Sequence, residues 1–301
     1  FLDAKNMNFL AVLLDGKKVK FYNNEKILTI KKKLKAGKVY KLSLAYETTP
    51  KQTVYFVGWA STSLSHPDSD ASAPLSNRNS ESGNPLAERS RSQVWIQGQG
   101  KYTSYWLPSF DDMNEKVEFD MDITFDKNYE VIANGKLKET RVKDSLKTWF
   151  FDMEHPMSSY LLAFAIGHYD FQEAVSANGI PLKMYYYPQD TLEVEPTYRY
   201  TNRIFDFMVS EIGVAYPWQN YKQIPVRDFL YAGMENTGTT IFSDGLMIDS
   251  IAFVDRNYVN VNAHELAHQW FGDMVTEVDG NHHWLQEGFA TYYALLAEKE
   301  I

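Results

Sequence analysis

The sequence contains no cysteine, and this absence excludes two kinds of chemistry. Neither a disulfide nor a catalytic thiolate can form in the chain. A run of roughly 18 apolar residues is also lacking, so no segment has the composition of a membrane-spanning helix. The first residues show no basic region followed by an apolar stretch, which is the pattern of a signal peptide. These absences leave the compartment of the protein open.

Basic residues are scarcer than acidic ones, which argues against binding to nucleic acid. The chain has 30 lysines and arginines but 39 aspartates and glutamates, for a formal net charge of −9. A nucleic-acid-binding domain carries a basic surface instead. The length of 301 residues predicts about two domains. Hydrophobic residues make up 44% of the chain, which is sufficient for each domain to bury a core.

The first part of the chain has the pattern of β structure. Apolar and polar residues alternate over residues 117–125, as in a strand with one buried face. Asp15-Gly16 and Asn134-Gly135 are dipeptides typical of hairpin turns. Several such strands at short spacing predict an all-β, saddle- or sandwich-like N-terminal domain over residues 1–188.

One segment of this domain departs from the strand pattern. Ser61 to Ser92 consists mainly of Ser, Asn, Asp, Pro and small residues. Such a composition buries too little apolar surface to offset the entropy that is lost on ordering. The segment is therefore predicted to be a long, mobile surface loop, and a functional lid is the alternative.

The pattern becomes helical after residue 188. Apolar residues recur at helical spacing over residues 201–212, and Gly213 can end that helix. Residues 228–242 indicate a strand with an irregular loop. The chain as a whole is therefore predicted to be α+β, with a second domain over residues 189–301.

The segment His264–His268, with the sequence His-Glu-Leu-Ala-His, carries the strongest chemical signal. On a helix its two histidines lie on one face, about 5–6 Å apart, where both imidazoles can bind one zinc ion. Glu287 follows the second histidine after 18 residues and can supply a third ligand from another helix. Asn260 or Asn262 can cap the helix start. A helix with two surface histidines and an ordinary charge pattern is the alternative.

A second motif lies upstream of the first. The segment Tyr231–Asn236 has the sequence Tyr-Ala-Gly-Met-Glu-Asn, and its Glu235 precedes His264 by 29 residues. Together the two motifs resemble the gluzincin zinc aminopeptidase family, which includes alanyl aminopeptidases and the leukotriene-hydrolysing enzyme. The chain looks like a bacterial-type member. Further resemblance lies in residues 97–99, 106–111 and 159–164.

The resemblance implies a fold and a set of roles. The second domain would be the first part of a thermolysin-like catalytic domain, with one zinc ion bound by His264, His268 and Glu287. Glu265 would act as general base on the zinc-bound water, and Glu235 would hold the α-ammonium group of the substrate. The other substrate-binding residues that the family implies are Gly233, Met234, Gln99 and Gln97.

Three positions differ from relatives, and none of them is a metal ligand. Ala232 and Gln286 stand where the family usually has Gly and Asn, and Gln99 stands where some relatives have Glu. Ordinary hydrogen bonding at a strand edge is the alternative role for Gln99. For Glu235 the alternative is a surface acid in a turn.

The resemblance also implies that the chain is a fragment, truncated at both ends. Family members continue into the rest of the catalytic domain and a helical C-terminal domain, so the missing C-terminal segment would be a partner of this chain. Their oxyanion-stabilising tyrosine would lie beyond Ile301. The expected activity is zinc-dependent hydrolysis of the N-terminal peptide bond of peptides with a free N-terminus.

Two other functions stay open at the level of sequence. An epoxide hydrolase, like the leukotriene-hydrolysing relative, would need an additional carboxylate in its pocket. A non-catalytic binding or assembly module with a structural zinc would not need Glu265. His282 and His283 precede Glu287 and are predicted to be exposed turn residues, with a supporting role at the metal as the alternative.

Overall fold

The computed structural model of the chain describes residues 1–59 and 92–301. Apart from Ser92, the segment predicted to be a mobile loop lies outside the described residues. Within them the predicted α+β class is confirmed, with strands in the first part and helices gathered toward the end. The strands are β1 (Leu2–Asp3), β2 (Met7–Leu14), β3 (Lys17–Lys18), β4 (Phe21–Asn23), β5 (Ile27–Ile30), β6 (Leu42–Thr48), β7 (Val54–Val57), β8 (Gln93–Ile96), β9 (Met121–Asp126), β10 (Glu130–Ala133), β11 (Lys136–Lys143), β12 (Leu146–Asp152), β13 (Phe164–Gly167), β14 (Asp170–Val175), β15 (Pro181–Tyr186), β16 (Tyr221–Val226), β17 (Gly233–Met234) and β18 (Thr239–Ser243). The helices are α1 (Thr191–Tyr198), α2 (Thr201–Ile212), α3 (Ala252–Asp255), α4 (Val259–Ala267) and α5 (Trp284–Glu300). Short 3₁₀ helices are Thr103–Tyr105, Ser159–Leu161, Asp244–Leu246 and Gly280–His282.

Antiparallel sheets make up the described part of the chain before residue 168. Their strand orders are β1-β5-β4, β3-β2-β6, β7-β8-β13-β10 and β9-β12-β11. The alternation predicted over residues 117–125 is confirmed from Met121 onward, where β9 alternates half-buried and exposed residues up to Phe125. Asp15 and Gly16 form the predicted turn between β2 and β3, and both have a positive φ.

The Asn134-Gly135 turn is not a hairpin, and that prediction is wrong. The flanking strands β10 and β11 lie in different sheets, where they pair with β13 and β12. Gly135 has a φ of +77°, and a Cβ there would lie 2.4 Å from the carbonyl oxygen of Asp152. Asn134 is completely buried, and its side chain bonds three backbone groups of other segments. The dipeptide therefore makes a packing contact rather than a surface turn.

A five-stranded sheet joins the two predicted domains. Its order is β14-β15-β16-β18-β17, with parallel pairing of β15 with β16 and of β16 with β18. Strands from both sides of residue 188 share this sheet, while the predicted domain boundary itself stays a prediction. The helix predicted over residues 201–212 is confirmed as α2, which ends at Gly213 with a φ of +70°.

Helices α4 and α5 pack against each other and against a core that spans both parts of the chain. Ile96 and Leu161 of the first part belong to the same hydrophobic cluster as residues of these helices. Small side chains allow two helices to approach closely. The completely buried alanines of α4 and α5 are Ala263, Ala267, Ala290, Ala294 and Ala297.

No helix among the described residues combines the length and the hydropathy that crossing a membrane requires.

Candidate metal centre and substrate pocket

Helix α4 places two histidine side chains against each other. The Nε2 atoms of His264 and His268 are 3.0 Å apart, which agrees with their i, i+4 spacing. The first N–H of the helix donates to the side-chain oxygen of Asn257 at 3.3 Å. The predicted capping by Asn260 or Asn262 is wrong, because both residues lie inside the helix.

Glu287, in the first turn of α5, faces the two imidazoles. Its Oε2 lies 3.2 Å from Nε2 of His264, and its Oε1 lies 3.7 Å from Nε2 of His268. A tetrahedral ion with bonds of about 2.0–2.1 Å holds its ligand atoms about 3.3 Å apart. The three spacings bracket that value, and two imidazoles with one carboxylate are the donor set of a catalytic zinc centre. These side chains therefore fit a bound zinc ion.

The electrostatics of the site also fit a cation. Burial by itself lowers the pKa of His268, but Glu235, Glu287 and Glu265 outweigh it and raise that pKa to about 10. Hydrogen bonds from His264 and then His268 hold the pKa of the Glu287 carboxyl group far below its usual range. The surrounding carboxylates thus favour positive charge at this point of the molecule.

Glu265 is buried against the short strand β17. A Cβ added to Gly233 would lie 2.5 Å from Oε1 of Glu265, so the close approach of strand and carboxylate requires glycine. Burial raises the pKa of the Glu265 carboxyl group; Glu235 and Glu287 add to this effect, and His268 opposes it. A carboxyl group with a raised pKa beside a metal site is suited to accept and release a proton.

Glu235 presents a second buried carboxylate to the same place. The residue is 3% exposed, and its Oε1 has no hydrogen-bond partner within the described part of the chain. Ligand atoms of Glu235, Glu265 and His268 all lie within 4.8 Å of one another. Its burial rules out the alternative of a surface acid in a turn. A buried carboxylate oxygen without a donor points to a cationic group on a ligand.

Gln269 connects the end of α4 to the segment around Glu235, which directly follows β17. Its side-chain Nε2 donates to the carbonyl oxygen of Glu235 at 2.9 Å. Its Oε1 accepts a hydrogen bond from the N–H of Gly238 at 2.7 Å. Gln269 directly follows His268, so one buried side chain fixes the distance between the end of α4 and the segment around Glu235.

Side-chain amides tie the segment around Glu235 to the first part of the chain. Nδ2 of Asn236 donates to the carbonyl oxygens of residues 161 and 162, at 3.3 and 3.2 Å. Nδ2 of Asn134 donates to the carbonyl oxygen of Thr237 at 2.8 Å. Both asparagines are completely buried. The position of Glu235 therefore depends on contacts between segments that are distant in sequence.

An open cavity of about 410 Å³ joins these groups. Gln97 is buried and does not line it. Its side-chain Oε1 accepts a hydrogen bond from the N–H of Gln99 at 3.0 Å. The structure thus brings the predicted residues together, while their individual roles stay predictions. Eight of the nine predicted site residues line the cavity, namely Gln99, Gly233, Met234, Glu235, His264, Glu265, His268 and Glu287.

His283 lies at the site, where the sequence kept a supporting role at the metal only as the alternative. It was predicted to be an exposed turn residue, but its ring reaches the metal centre, with Nε2 3.2 Å from Oε1 of Glu287. Its Nδ1 lies 3.1 Å from Oε1 of Glu277. His282 is exposed, as predicted. The i, i+4 spacing from His283 to Glu287 was a usable signal, but nothing in the sequence indicated Glu277.

Two family models match the chain. The model of the peptidase M1 N-terminal domain matches residues 1–161, and the model of the peptidase family M1 domain matches residues 197–301. The two matches lie on either side of the strands β14 and β15 of the shared sheet.

Individual relatives are longer than this chain. Aminopeptidase A of Gloydius brevicauda is 32% identical over 195 residues, which cover 63% of this chain and 20% of that protein. Aminopeptidase N of Rattus norvegicus is 33% identical over 200 residues, which cover 63% of this chain and 21% of that protein. The chain spans about a fifth of the length of these relatives.

Solved structures share the fold over nearly the whole chain. The M1 zinc metallopeptidase of Deinococcus radiodurans matches with a TM-score of 0.73 at 23% identity, covering 99% of this chain and 62% of that one. A mutant of that protein bound to a Tyr-Ser-Ala substrate matches with a TM-score of 0.74, also at 23% identity, covering 99% of this chain and 63% of that one.

Proposed function

The chain belongs to the peptidase M1 family, and from this premise we propose that it forms the zinc-binding part of an aminopeptidase. The reaction is hydrolysis of the first peptide bond of a peptide with a free N-terminus. Since the chain spans about a fifth of the relatives' length, the proposal concerns the activity of the whole protein. One observation carries it: a buried carboxylate oxygen of Glu235, without a partner among the residues that the structure describes, shares a cavity with His264, His268 and Glu287.

In this proposal a hydrogen bond orients the ring of His268 for metal binding. Nδ1 of His268 lies 3.0 Å from the carbonyl oxygen of Phe271, which places the ring proton on Nδ1 and leaves the lone pair of Nε2 for the metal. His264 and Glu287 complete the donor set. When bound there, a zinc ion would polarise the scissile carbonyl and lower the pKa of a water molecule.

Glu265 carries the proton in this reaction. Its carboxylate accepts a proton from the attacking water and then delivers it to the amine that leaves. The raised pKa that burial gives to Glu265 suits both steps, because the group holds the proton without being a strong acid. Gly233 leaves room for this carboxylate beside β17, since a Cβ there would lie 2.5 Å from Oε1 of Glu265.

Glu235 distinguishes the proposed aminopeptidase from an endopeptidase with the same metal motif. A substrate α-ammonium group would supply the donors that Oε1 of Glu235 lacks. Ligand atoms of Glu235 and His268 lie within 4.8 Å of each other, so an ammonium at Glu235 sits one residue away from the metal centre. This spacing confines cleavage to the first peptide bond.

The test compares an aminoacyl anilide with its N-acetylated form. The purified protein is expected to cleave the free amine and to spare the blocked substrate. Glu235→Gln removes the negative charge and should reduce this preference by about 10- to 100-fold, the equivalent of a charged hydrogen bond. Glu211→Gln, at an exposed position of α2, is the matched control.

Two outcomes would contradict the proposal. Equal cleavage of both substrates by the wild-type protein would point to an endopeptidase or to a different substrate class. Zinc binding without hydrolysis of either substrate would favour the alternative of a non-catalytic zinc-containing module.

A further inference from the structure

The carboxylate of Glu287 is contacted by three imidazoles, although the proposed metal centre uses two of them. His264 and His268 approach it from the cavity, with the shorter separation at 3.2 Å. The third ring, His283, approaches Oε1 of Glu287 through Nε2, also at 3.2 Å. Among the residues that the structure describes, the groups of side chains spaced closely enough to share one ion include Glu287 but not His283. His283 therefore touches the ligand without belonging to the ligand set.

The other side of the His283 ring is held by a buried carboxyl group. Nδ1 of His283 lies 3.1 Å from Oε1 of Glu277, whose side chain is 0% exposed. Oε2 of Glu277 is buried and has no other partner within the described part of the chain, so this carboxyl group makes its side-chain contact through His283. The ring is thus clamped between a fixed acid and a metal ligand.

The location of His283 on the helix explains why such a clamp would matter. Glu287 lies in the first turn of α5, four residues after His283, and its side chain is 38% exposed. A partly exposed glutamate on a helix surface has several accessible rotamers, and ordering it costs conformational entropy. Hydrogen bonds to a ligand side chain fix its orientation and strengthen metal binding.

We propose that His283, anchored by Glu277, is a positioning residue that orients the carboxylate of Glu287 toward His264 and His268. The inference rests on the proposed zinc centre and adds a residue pair to it. His283 acts by donating a hydrogen bond from Nε2 to Oε1 of Glu287, which leaves Oε2 directed at His264. Because a neutral imidazole has a single N–H, which Nε2 gives to Glu287, Nδ1 accepts a hydrogen bond from the carboxyl group of Glu277. This second contact keeps the ring from rotating away.

The primary test measures zinc affinity by competition with a chelator of known strength. His283→Ala should weaken zinc binding by about 10- to 100-fold, the usual effect of removing a contact behind a metal ligand. His282→Ala removes the exposed neighbouring histidine and should leave the affinity unchanged. His283→Gln keeps an N–H donor in reach of Glu287, so it should recover most of the zinc affinity that His283→Ala loses.

A second measurement separates positioning from a purely structural role at the start of α5. Cobalt(II) replaces zinc, and its visible absorption reports the geometry of the ligands. His283→Ala and Glu277→Ala should alter this spectrum, while the thermal midpoints of the metal-free variants stay close to that of the wild-type protein. A lowered midpoint with an unchanged cobalt spectrum would show that His283 supports the helix only, and would overturn the inference.

The outcomes separate this inference from the proposed function. Zinc binding and hydrolysis by the wild-type protein, with His283→Ala binding zinc as tightly as His282→Ala does, would overturn the positioning role alone. Failure of the wild-type protein to bind zinc would overturn both.

Discussion

The two halves of the site are built in different ways. The proposed metal half consists of His264, Glu265, His268 and Glu287, which lie within 24 consecutive residues, on two helices in direct contact or, for His268, directly after the first of them. The proposed amine half consists of Glu235 and Gln99, which come from segments more than 130 residues apart. Both halves face one cavity.

The difference shows which geometry is local and which is not. The spacing of His264 and His268 follows from the pitch of one helix, so four residues of sequence fix a 3.0 Å contact. The place of Glu235 follows from hydrogen bonds that Asn134 and Gln269 make to its segment, and from those that Asn236, within the segment, donates to residues 161 and 162. Zinc binding by the metal half should therefore be kept when a change disturbs the amine half. Four variants test how far the two halves are independent.

The largest effect is expected for Glu265→Gln, which removes the proposed proton acceptor of the metal half. Turnover should fall by about 10²- to 10⁴-fold, the usual contribution of a general base. Zinc affinity should stay the same, because Glu265 is not one of the metal ligands. Steady-state kinetics and chelator competition on the same preparations check both parts, with Glu211→Gln as control. Unchanged turnover of the Glu265→Gln variant would show that Glu265 is not the general base.

A smaller but still large effect is expected for Gly233→Ala, at the contact between the halves. The added Cβ would lie 2.5 Å from Oε1 of Glu265, so the carboxylate or the strand must move. A displacement of about 1 Å in a catalytic group can cost about 100-fold in rate. Gly245→Ala is the control, because the nearest atom to its Cβ would be the Ser243 hydroxyl at 3.4 Å.

Kinetics and zinc titration of the two glycine variants decide the outcome. Turnover should fall for Gly233→Ala alone, with zinc affinity kept in both. Normal turnover of Gly233→Ala would show that β17 shifts to accommodate the Cβ without displacing Glu265.

Asn134→Ala should affect the amine half and spare the metal half. The substitution leaves a buried carbonyl of Thr237 and a buried N–H of Ala163 without their partner. The free energy of unfolding should fall by about 1–3 kcal/mol for such unpaired groups, as measured by urea denaturation. The KM for aminoacyl substrates should rise as Glu235 loses its support, while zinc affinity stays constant. Asn178→Ala, at an exposed position, is the control, and an equal loss of zinc affinity would show that the halves are not independent.

The Asn134 dipeptide also marks the limit of what the sequence could predict. Helix α2, the alternation in β9 and the metal triad depend on periodicity, which is visible along the chain. Asn134-Gly135 matched a hairpin signal, but its flanking strands join different sheets, because contacts with residues 161–163 and 237 decide the pairing. Glu277 was missed for the same reason, because its burial and its contact with His283 across a turn are not visible as a local pattern. His283 was named only as an alternative, although its i, i+4 spacing from Glu287 is local.

The last effect is expected on stability and not on turnover, and it concerns Lys222 of β16. Its Nζ is buried and donates to the carbonyl oxygens of Ala133 and Gly135, at 2.9 and 2.6 Å. Burial, with a further contribution from Lys183, lowers the pKa of Lys222 to about 7. The pKa of an unfolded lysine is about 10.4.

Between these two values the unfolded chain binds more protons at this residue than the folded chain does. Stability should therefore rise with pH from about 7 to about 10, by at most about 1.4 kcal/mol per pH unit, and should not change below pH 7 through this group. Urea denaturation of the wild-type protein and of Lys222→Met at pH 6, 7, 8 and 9 isolates the effect as a difference between the two curves. A difference that stays constant above pH 7 would mean that Lys222 keeps its proton in the folded state, held by the carbonyl groups of Ala133 and Gly135.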